Sequence, residues 1–299
     1  MEHIDRQYRS GFVTILGKPN VGKSSLMNRI IGEKITIVSS RPQTTRSRIM
    51  GVLTHQHYQI VFLDTPGIHT PRNKLGDFMM LSVKNAMDGM DASLVIIDVS
   101  HIASTDLVIA SDLLNKKVPS VLVLNKIDLV SPEQILAATA KMASIGYQEI
   151  IPVSAKTGTG IDDLISCLQK HLPVGPQYFP DDMITDQPER VLCAEIIREK
   201  ALRNLREEVP HGIGVEIMKM ETLSERLTEI NATLYCEREA HKRIIIGKHG
   251  SMLRTIGTEA RNDIEKLLDI HVNLKLWVKI RPDWRNNVSD LKNLGYEKN

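Results

Sequence analysis

Aromatic residues are scarce. Phe, Trp and Tyr make up 4% of the 299 residues, with only two tryptophans, so the cores must be built mainly from Ile, Leu, Val and Met. Cysteine is scarcer: Cys167, Cys193 and Cys236 are the three in the chain. They lie far apart and match no metal-binding spacing. That excludes a disulfide framework and predicts buried, reduced thiols in a cytosolic setting. No apolar run approaches the ~20 residues that a membrane-spanning helix needs. Met1 to Ser10 is too polar for a secretory leader, while peripheral contact with a membrane surface is compatible with both observations. Charge of one sign is also lacking, the net value being +2. This balance neither demands nor excludes a polyanionic partner, so local clustering must decide. The length suits two domains better than one.

What the chain does have is a regular alternation. Short Val/Ile/Leu runs at 12–16, 59–63, 93–99, 120–125 and 149–153 are separated by amphipathic segments at about 24–31, 73–89, 105–116, 132–144 and 161–171. This pattern predicts an α/β domain with a mostly parallel sheet covered on both faces. One exception is expected. The runs 48–53 and 58–63 are joined by a short polar turn and read as an antiparallel pair. Ligands of open sheets of this class sit beyond the carboxyl ends of the strands, where the informative residues fall.

The first motif is Gly17-Lys18-Pro19-Asn20-Val21-Gly22-Lys23-Ser24, between an apolar strand and a helical run. Strand, glycine-rich turn and helix together form a phosphate-binding loop. Gly17 and Gly22 free the backbone so that N–H groups converge on phosphate oxygens, and the helix N-terminus adds its dipole. Lys23 can reach the β- and γ-phosphates, and the Ser24 hydroxyl can hold Mg²⁺. The second motif, Asp64-Thr65-Pro66-Gly67, ends a buried strand. Its carboxylate can hold a Mg²⁺-bound water, and the Gly67 N–H can approach the γ-phosphate. The third, Asn125-Lys126-Ile127-Asp128, follows another strand. Asp128 can accept hydrogen bonds from the ring N–H and the exocyclic amine of guanine, which adenine does not offer in that arrangement. The next strand ends in Ser154-Ala155-Lys156, whose backbone N–H can meet the guanine O6.

These motifs, in this order, are similar to those of the P-loop GTPases. With Gln43-Thr44-Thr45-Arg46, the first two most closely resemble the Era family of bacterial GTPases. The resemblance implies nucleotide contacts from the whole first loop, Ser25 included, and from Asp64, Thr65, Pro66, Gly67, Ile68, Asn125, Lys126, Asp128, Ser154, Ala155 and Lys156. It implies GTP or GDP with Mg²⁺, held by Ser24, Asp64 and a switch threonine, for which Thr45 is preferred to Thr44. Lys23, Thr45 and Gly67 would carry catalysis. Better-known GTPases place a water-orienting glutamine directly after the second-switch glycine, whereas this chain has Ile68, so slow intrinsic hydrolysis is expected. Asn20, by the same likeness, is a candidate K⁺ ligand.

Pro173, Gly175, Pro176, Pro180 and Pro188 interrupt the alternation. The expected organisation is a GTPase domain over 1–173, a linker over 174–188, a second domain over 189–282 and a tail over 283–299 that packs as a short helix. The second domain reads helix, two strands, two helices joined by Gly247-Lys248-His249-Gly250, then a strand. It resembles a type II KH domain, a smaller α+β fold. Gly247 and Gly250 let the backbone approach a sugar–phosphate chain, with an apolar groove beside them for bases. Lys242, Arg243, Ile246, Lys248, His249, Ser251 and Arg254, with Arg261, would complete a single-stranded RNA surface. The family likeness alone implies the target: the 3′ end of 16S ribosomal RNA, in small-subunit (30S) assembly, by a monomer. Two rivals stand beside this reading, an RNA chaperone with a structural nucleotide and a membrane-associated signalling GTPase.

Overall fold

The computed structural model describes residues 7–39, 41, 44–116 and 118–296. Ser40, Pro42 and Gln43 of the threonine-rich loop lie outside them. The chain divides into two compact units. The first holds residues up to 36, 45–69 and 80–186, and the second holds 37–44, 70–79 and 187 onward.

The first unit is a six-stranded sheet in the order β2-β3-β1-β4-β5-β6. Its strands are β1 (Arg9–Leu16), β2 (Ile49–His55), β3 (Tyr58–Asp64), β4 (Ala92–Asp98), β5 (Ser120–Asn125) and β6 (Ile150–Val153). All neighbours pair in parallel except β2 with β3, the antiparallel pair expected from the short turn. Its helices are α1 (Lys23–Ile31), α3 (Ser104–Leu114), α4 (Pro132–Ile145) and α5 (Ile161–His171), while α2 (Lys74–Asn85) is divided, its residues up to 79 falling in the second unit. Alternation along the strands splits the core into two layers. Leu94, Ile96, Val121 and Val123 face a cluster with Leu26, Met27, Leu164 and Leu168 of α1 and α5. Val95, Ile97, Leu122 and Leu124 face one with Leu113 and Met142 of α3 and α4. Strands buried on both faces read as continuous apolar runs, which is why these runs were legible. The order reverses at β1, so the carboxyl ends of β3, β1 and β4 open a crevice at the switch point.

The proline-rich stretch after α5 belongs to the first unit as far as residue 186. Ile184 O accepts from Val52 N at 2.9 Å, and the Gln59 amide oxygen accepts from Tyr178 N and Phe179 N at 2.8 and 3.0 Å. A stretch without a periodic pattern is thus ordered by the edge of the sheet.

The second unit carries α6 (Glu189–Asn204), β7 (Gly214–Ser224), β8 (Leu227–Cys236), α7 (Glu239–Ile246), α8 (Ser251–Leu268), β9 (His271–Ile280) and α9 (Val288–Asn293). β7 pairs antiparallel with β8, and β8 pairs parallel with β9. Ile196, Ile197 and Ala201 of α6 share a core with Ile256, Ala260 and Ile264 of α8 and with Ile230, Ala232 and Leu234 of β8. The charged residues of α6 depart from the solvated face that periodicity suggests: Arg198, Glu199 and Lys200 are buried. They are tolerated because they are paired, Arg198 with Glu195 at 2.6 Å, Glu199 with Arg203 at 2.6 Å and Lys200 with Asp263 at 2.5 Å. The tail packs: Trp284 is fully buried, its indole N–H donates to Gly212 O at 2.9 Å, and Tyr296 stacks beside it. Trp277 is 46% exposed, out of phase with the buried residues of β9.

Candidate functional site

The loop from Gly17 to Gly22 leaves β1 and enters α1 through three residues at positive φ, Gly17 (146°), Asn20 (65°) and Gly22 (100°). Two of them must be glycine for a second reason. A Cβ on Gly17 would lie 2.5 Å from Ile96 O, and one on Gly22 would lie 2.2 Å from Asn125 Nδ2. The second contact explains Asn125, which is buried. Its amide donates to Val21 O at 2.8 Å and accepts from Ala155 N at 3.0 Å. This side chain ties three loops together.

Lys126 is also engaged. Its ammonium donates to Asn20 O at 2.9 Å and pairs with Asp98 Oδ2 at 2.5 Å. Burial works against the ionised form of Asp98, but the Lys126 partnership and the Ser100 hydrogen bonds outweigh it and hold this carboxyl below its ordinary range. Asp98 ends β4 as Asp64 ends β3, so an acidic residue closing an apolar run was the signal that sequence reasoning passed over. Asp128 is exposed in a short turn, with Oδ1 accepting from the Ser154 hydroxyl at 2.6 Å. This orients the carboxylate beside the Ser154–Lys156 loop. Arg29 of α1 holds the same loop by donating to Ala155 O at 3.0 Å and to Lys156 O. It was also missed, since nothing in a helical arginine announces a partner 126 residues away.

Three oxygens converge near the start of α1. Ser24 Oγ lies 2.6 Å from Asp64 Oδ2 and 2.8 Å from Thr45 Oγ1, and Thr45 Oγ1 lies 3.3 Å from the same carboxylate oxygen. Asp64 Oδ1 is buried without a hydrogen-bond partner among the described residues. Hard oxygen donors plus an orphaned carboxylate oxygen suit Mg²⁺. Thr45, not Thr44, is the threonine in this cluster. Desolvation dominates at Asp64 and raises its carboxyl, although Lys23, Ser24 and Thr45 oppose the shift.

Lys23 is buried and folds back on its own loop, donating to Lys18 O at 2.9 Å and Gly17 O at 3.2 Å. Burial lowers its ammonium to about 8, with Asp64 opposing. Below pH 8 both folded and unfolded chains hold this proton, whereas between about 8 and 10.5 only the unfolded chain does. The burial penalty of roughly 3 kcal/mol is therefore relieved as pH rises through that window. In urea denaturation of the nucleotide-free protein, Lys23→Met should be more stable than wild type at pH 7.5, with the gap closing towards pH 10. A gap independent of pH would contradict this origin.

Lys18 points away, pairing with Asp106 Oδ2 at 3.0 Å. Ser25 is partly buried in α1. Thr65 donates its hydroxyl to Ile15 O at 2.7 Å. Pro66 and Gly67 are buried, and a Cβ on Gly67 would lie 2.5 Å from Pro19 N, so glycine is what lets this loop approach the phosphate loop. Ile68 packs on the core layer with Val95 and Ile97, and its N–H donates to Gly17 O at 3.0 Å. His69 Nδ1 lies 2.7 Å from Gly67 O.

In the second unit, Gly247 at φ 73° ends α7, and one tight turn through His249 (φ 51°) and Gly250 (φ 76°) starts α8. Lys248, His249, Ser251 and Arg254 are exposed there, Gly247, Gly250 and Ile246 half-buried. Beside the turn lies a groove of about 290 Å³ with an apolar floor of Leu253, Leu274 and Leu276 and with Arg254 and Arg261 on its lining. Gly257 also lines it, and a Cβ there would crowd Leu276 Cδ1 at 3.3 Å. A mid-helix glycine costs about 1 kcal/mol against alanine, and this was the signal for a residue that sequence reasoning did not single out. Lys242 and Arg243 lie earlier, on α7, and do not line the groove.

Residues 12–126 match the family described as 50S ribosome-binding GTPase, and residues 208–285 match the KH domain. GTPase Era of Clostridium acetobutylicum is 53% identical over 97% of this chain and 98% of its own length. The chain belongs to the Era family of GTPases. Era of Clostridioides difficile is 50% identical over 97% of this chain and 99% of its own. Among solved structures, Era in complex with MgGDPNP and nucleotides 1506–1542 of 16S ribosomal RNA superposes with a TM-score of 0.93 at 39% identity, covering 97% of this chain and all of that one. A point variant of Aquifex aeolicus Era bound to GDP·AlF4⁻ matches with the same score, identity and coverage. The Era likeness runs through both units, and the fold class read from the sequence is the one observed. No helix among the described residues is long and apolar enough to cross a membrane.

Proposed function

We propose that this chain is a GTPase switch that binds and slowly hydrolyses GTP and whose KH unit binds the 3′ end of 16S ribosomal RNA during maturation of the 30S subunit in the cytoplasm. The observation that carries the reading is the oxygen cluster of Ser24, Thr45 and Asp64 at the phosphate loop, on the same chain as the Gly247–Gly250 turn and its groove. Support for the RNA comes from the solved Era that carries nucleotides 1506–1542. When bound, Mg²⁺ would neutralise charge on the β- and γ-phosphates. Lys23, released from the Gly17 and Lys18 carbonyls, adds a second positive charge there, and Gly67 supplies a backbone donor at the γ-phosphate. Asp128 selects guanine.

The Ile68 side chain is apolar and packed on the core, so it cannot orient the attacking water. Single-turnover hydrolysis by the isolated protein should be on the order of 10⁻³ s⁻¹ or slower. Rates well above 1 s⁻¹ would contradict it. Asn20 supplies a candidate ligand for K⁺ beside the phosphates, where a fixed positive charge would assist. Hydrolysis should then be faster in K⁺ than in Na⁺ buffer, and Asn20→Ala should erase the difference.

The test of the whole reading is binding of an RNA spanning the 16S 3′ end, measured with a GTP analogue and with GDP. Linkage requires that any gain in RNA affinity from GTP be returned as a gain in GTP affinity from RNA. Tighter binding in the GTP-analogue state is expected, and equal affinities would remove the switch. Loss of function in cells on Lys23→Ala, the variant without the phosphate-loop cation, would set the switch apart from a chaperone with a merely structural nucleotide.

A further inference from the structure

Glu149, Cys167 and His171 lie outside the motifs assigned to nucleotide and RNA, yet the fold brings them together. Cys167 and His171 stand one turn apart on α5, a spacing that puts both on one face of the helix, and Glu149 immediately precedes β6. One ligand atom from each lies within 4.8 Å of the others. The Glu149 carboxylate is hydrogen-bonded to His171 Nε2. Cys167 is 5% exposed, while the His171 and Glu149 side chains are 24% and 30% exposed. The sulfur is therefore shielded, and the other two donors keep an opening to solvent.

We propose that these three residues form a site for a divalent transition-metal cation of the zinc class, separate from the nucleotide-binding loops. The donor set carries the choice of ion. One sulfur, one imidazole nitrogen and one carboxylate oxygen suit borderline Zn²⁺, whereas Mg²⁺ and Ca²⁺ prefer oxygen alone. Three protein ligands leave a fourth tetrahedral position for water, on the side open to solvent. Binding requires the thiolate, so Cys167 gives up its proton to solvent and the His171 imidazole coordinates in its neutral form. The effect on the fold is local. Glu149 stands at the start of β6 and Ser154 just past its end, so an ion bridging Glu149 to α5 braces the strand that carries the guanine-binding loop.

Sequence spacing could not find this site. Cys167 and His171 are four positions apart, but the third ligand comes from before β6, and only the docking of α5 on that strand gathers all three.

The test uses the full chain, stripped with chelator and then supplied with Mg²⁺ and GDP to fill the Ser24–Asp64 cluster, and titrated with Co²⁺. One equivalent should bind with a thiolate-to-cobalt charge-transfer band and the visible bands of a tetrahedral ion, and Zn²⁺ should displace it. Cys167→Ser should abolish the charge-transfer band. Cys167 is buried, so His171→Gln serves as the second variant. It should weaken Co²⁺ binding by at least the roughly 10–100-fold that even outer-shell changes cost, with GDP affinity unchanged as the check on folding. No charge-transfer band in the wild-type chain, or a band that survives both substitutions, would overturn the proposal and leave the three residues as a hydrogen-bonded trio.

Discussion

Asp128→Asn is expected to lower GDP affinity by roughly 10⁴-fold while leaving the fold intact. The carboxylate accepts from two donors on guanine, the ring N–H and the exocyclic amine. An asparagine can accept only one of these, and its NH₂ then faces the amine, donor against donor. The unpaired groups are shut away from water, which is what makes the loss large. Stability should change little, because Asp128 is exposed and its one bond, from the Ser154 hydroxyl at 2.6 Å, can be kept by the asparagine oxygen. The same substitution should improve binding of xanthosine diphosphate, whose carbonyl at the 2-position offers the acceptor that the new NH₂ needs. Titration of both nucleotides into wild type and variant, with thermal midpoints alongside, checks each part. GDP affinity within tenfold of wild type would place the base elsewhere.

Gly250→Asp should abolish RNA binding, by 100-fold or more, without unfolding the second unit. A carboxylate set against a phosphate chain is a like-charge contact that costs several kcal/mol. The two glycines of the turn are not equivalent probes. A Cβ on Gly247 would meet Met252 Cβ at 2.7 Å and its backbone nitrogen at 2.8 Å, whereas one on Gly250 meets nothing within 4 Å. Gly250 (φ 76°, ψ 12°) is left-handed helical, a conformation that Asp tolerates better than most residues, whereas Gly247 (φ 73°, ψ 176°) lies in a region open essentially to glycine alone. Gly247→Asp therefore confounds misfolding with lost recognition, and Gly250→Asp separates them. Binding of the 16S 3′-end RNA is the readout, with GDP affinity and circular dichroism as controls. A folded Gly250→Asp protein that still binds that RNA at full strength would move the interface away from the turn.

The nucleotide chemistry was readable because it is local. A phosphate loop works through consecutive backbone N–H groups, so its glycines, lysine and serine must be neighbours in the chain. The strands that present it are buried on both faces and announce themselves as apolar runs. The KH unit was legible for a similar reason, since a tight turn between two helices needs glycine at fixed places.

Burial and long-range pairing were not legible. The charged residues of α6 read as a solvated face, yet Arg198, Glu199 and Lys200 are buried because partners on α6 and α8 neutralise them. The family likeness favoured Thr45 over Thr44, and the packing of the loop puts Thr45 beside Ser24 and Asp64.

The sequence by itself determined the two folds, guanine as the base, the magnesium-type oxygen donors and the absence of a glutamine after Gly67. The tertiary structure alone decided which side chains spend themselves on holding loops, as Asn125, Arg29 and Asp98 do, and which gather into new chemistry, as Glu149, Cys167 and His171 do. The reason is physical: a motif is a constraint among neighbours along the backbone, whereas a clamp or a metal cluster is a constraint among surfaces that meet only once the core has closed.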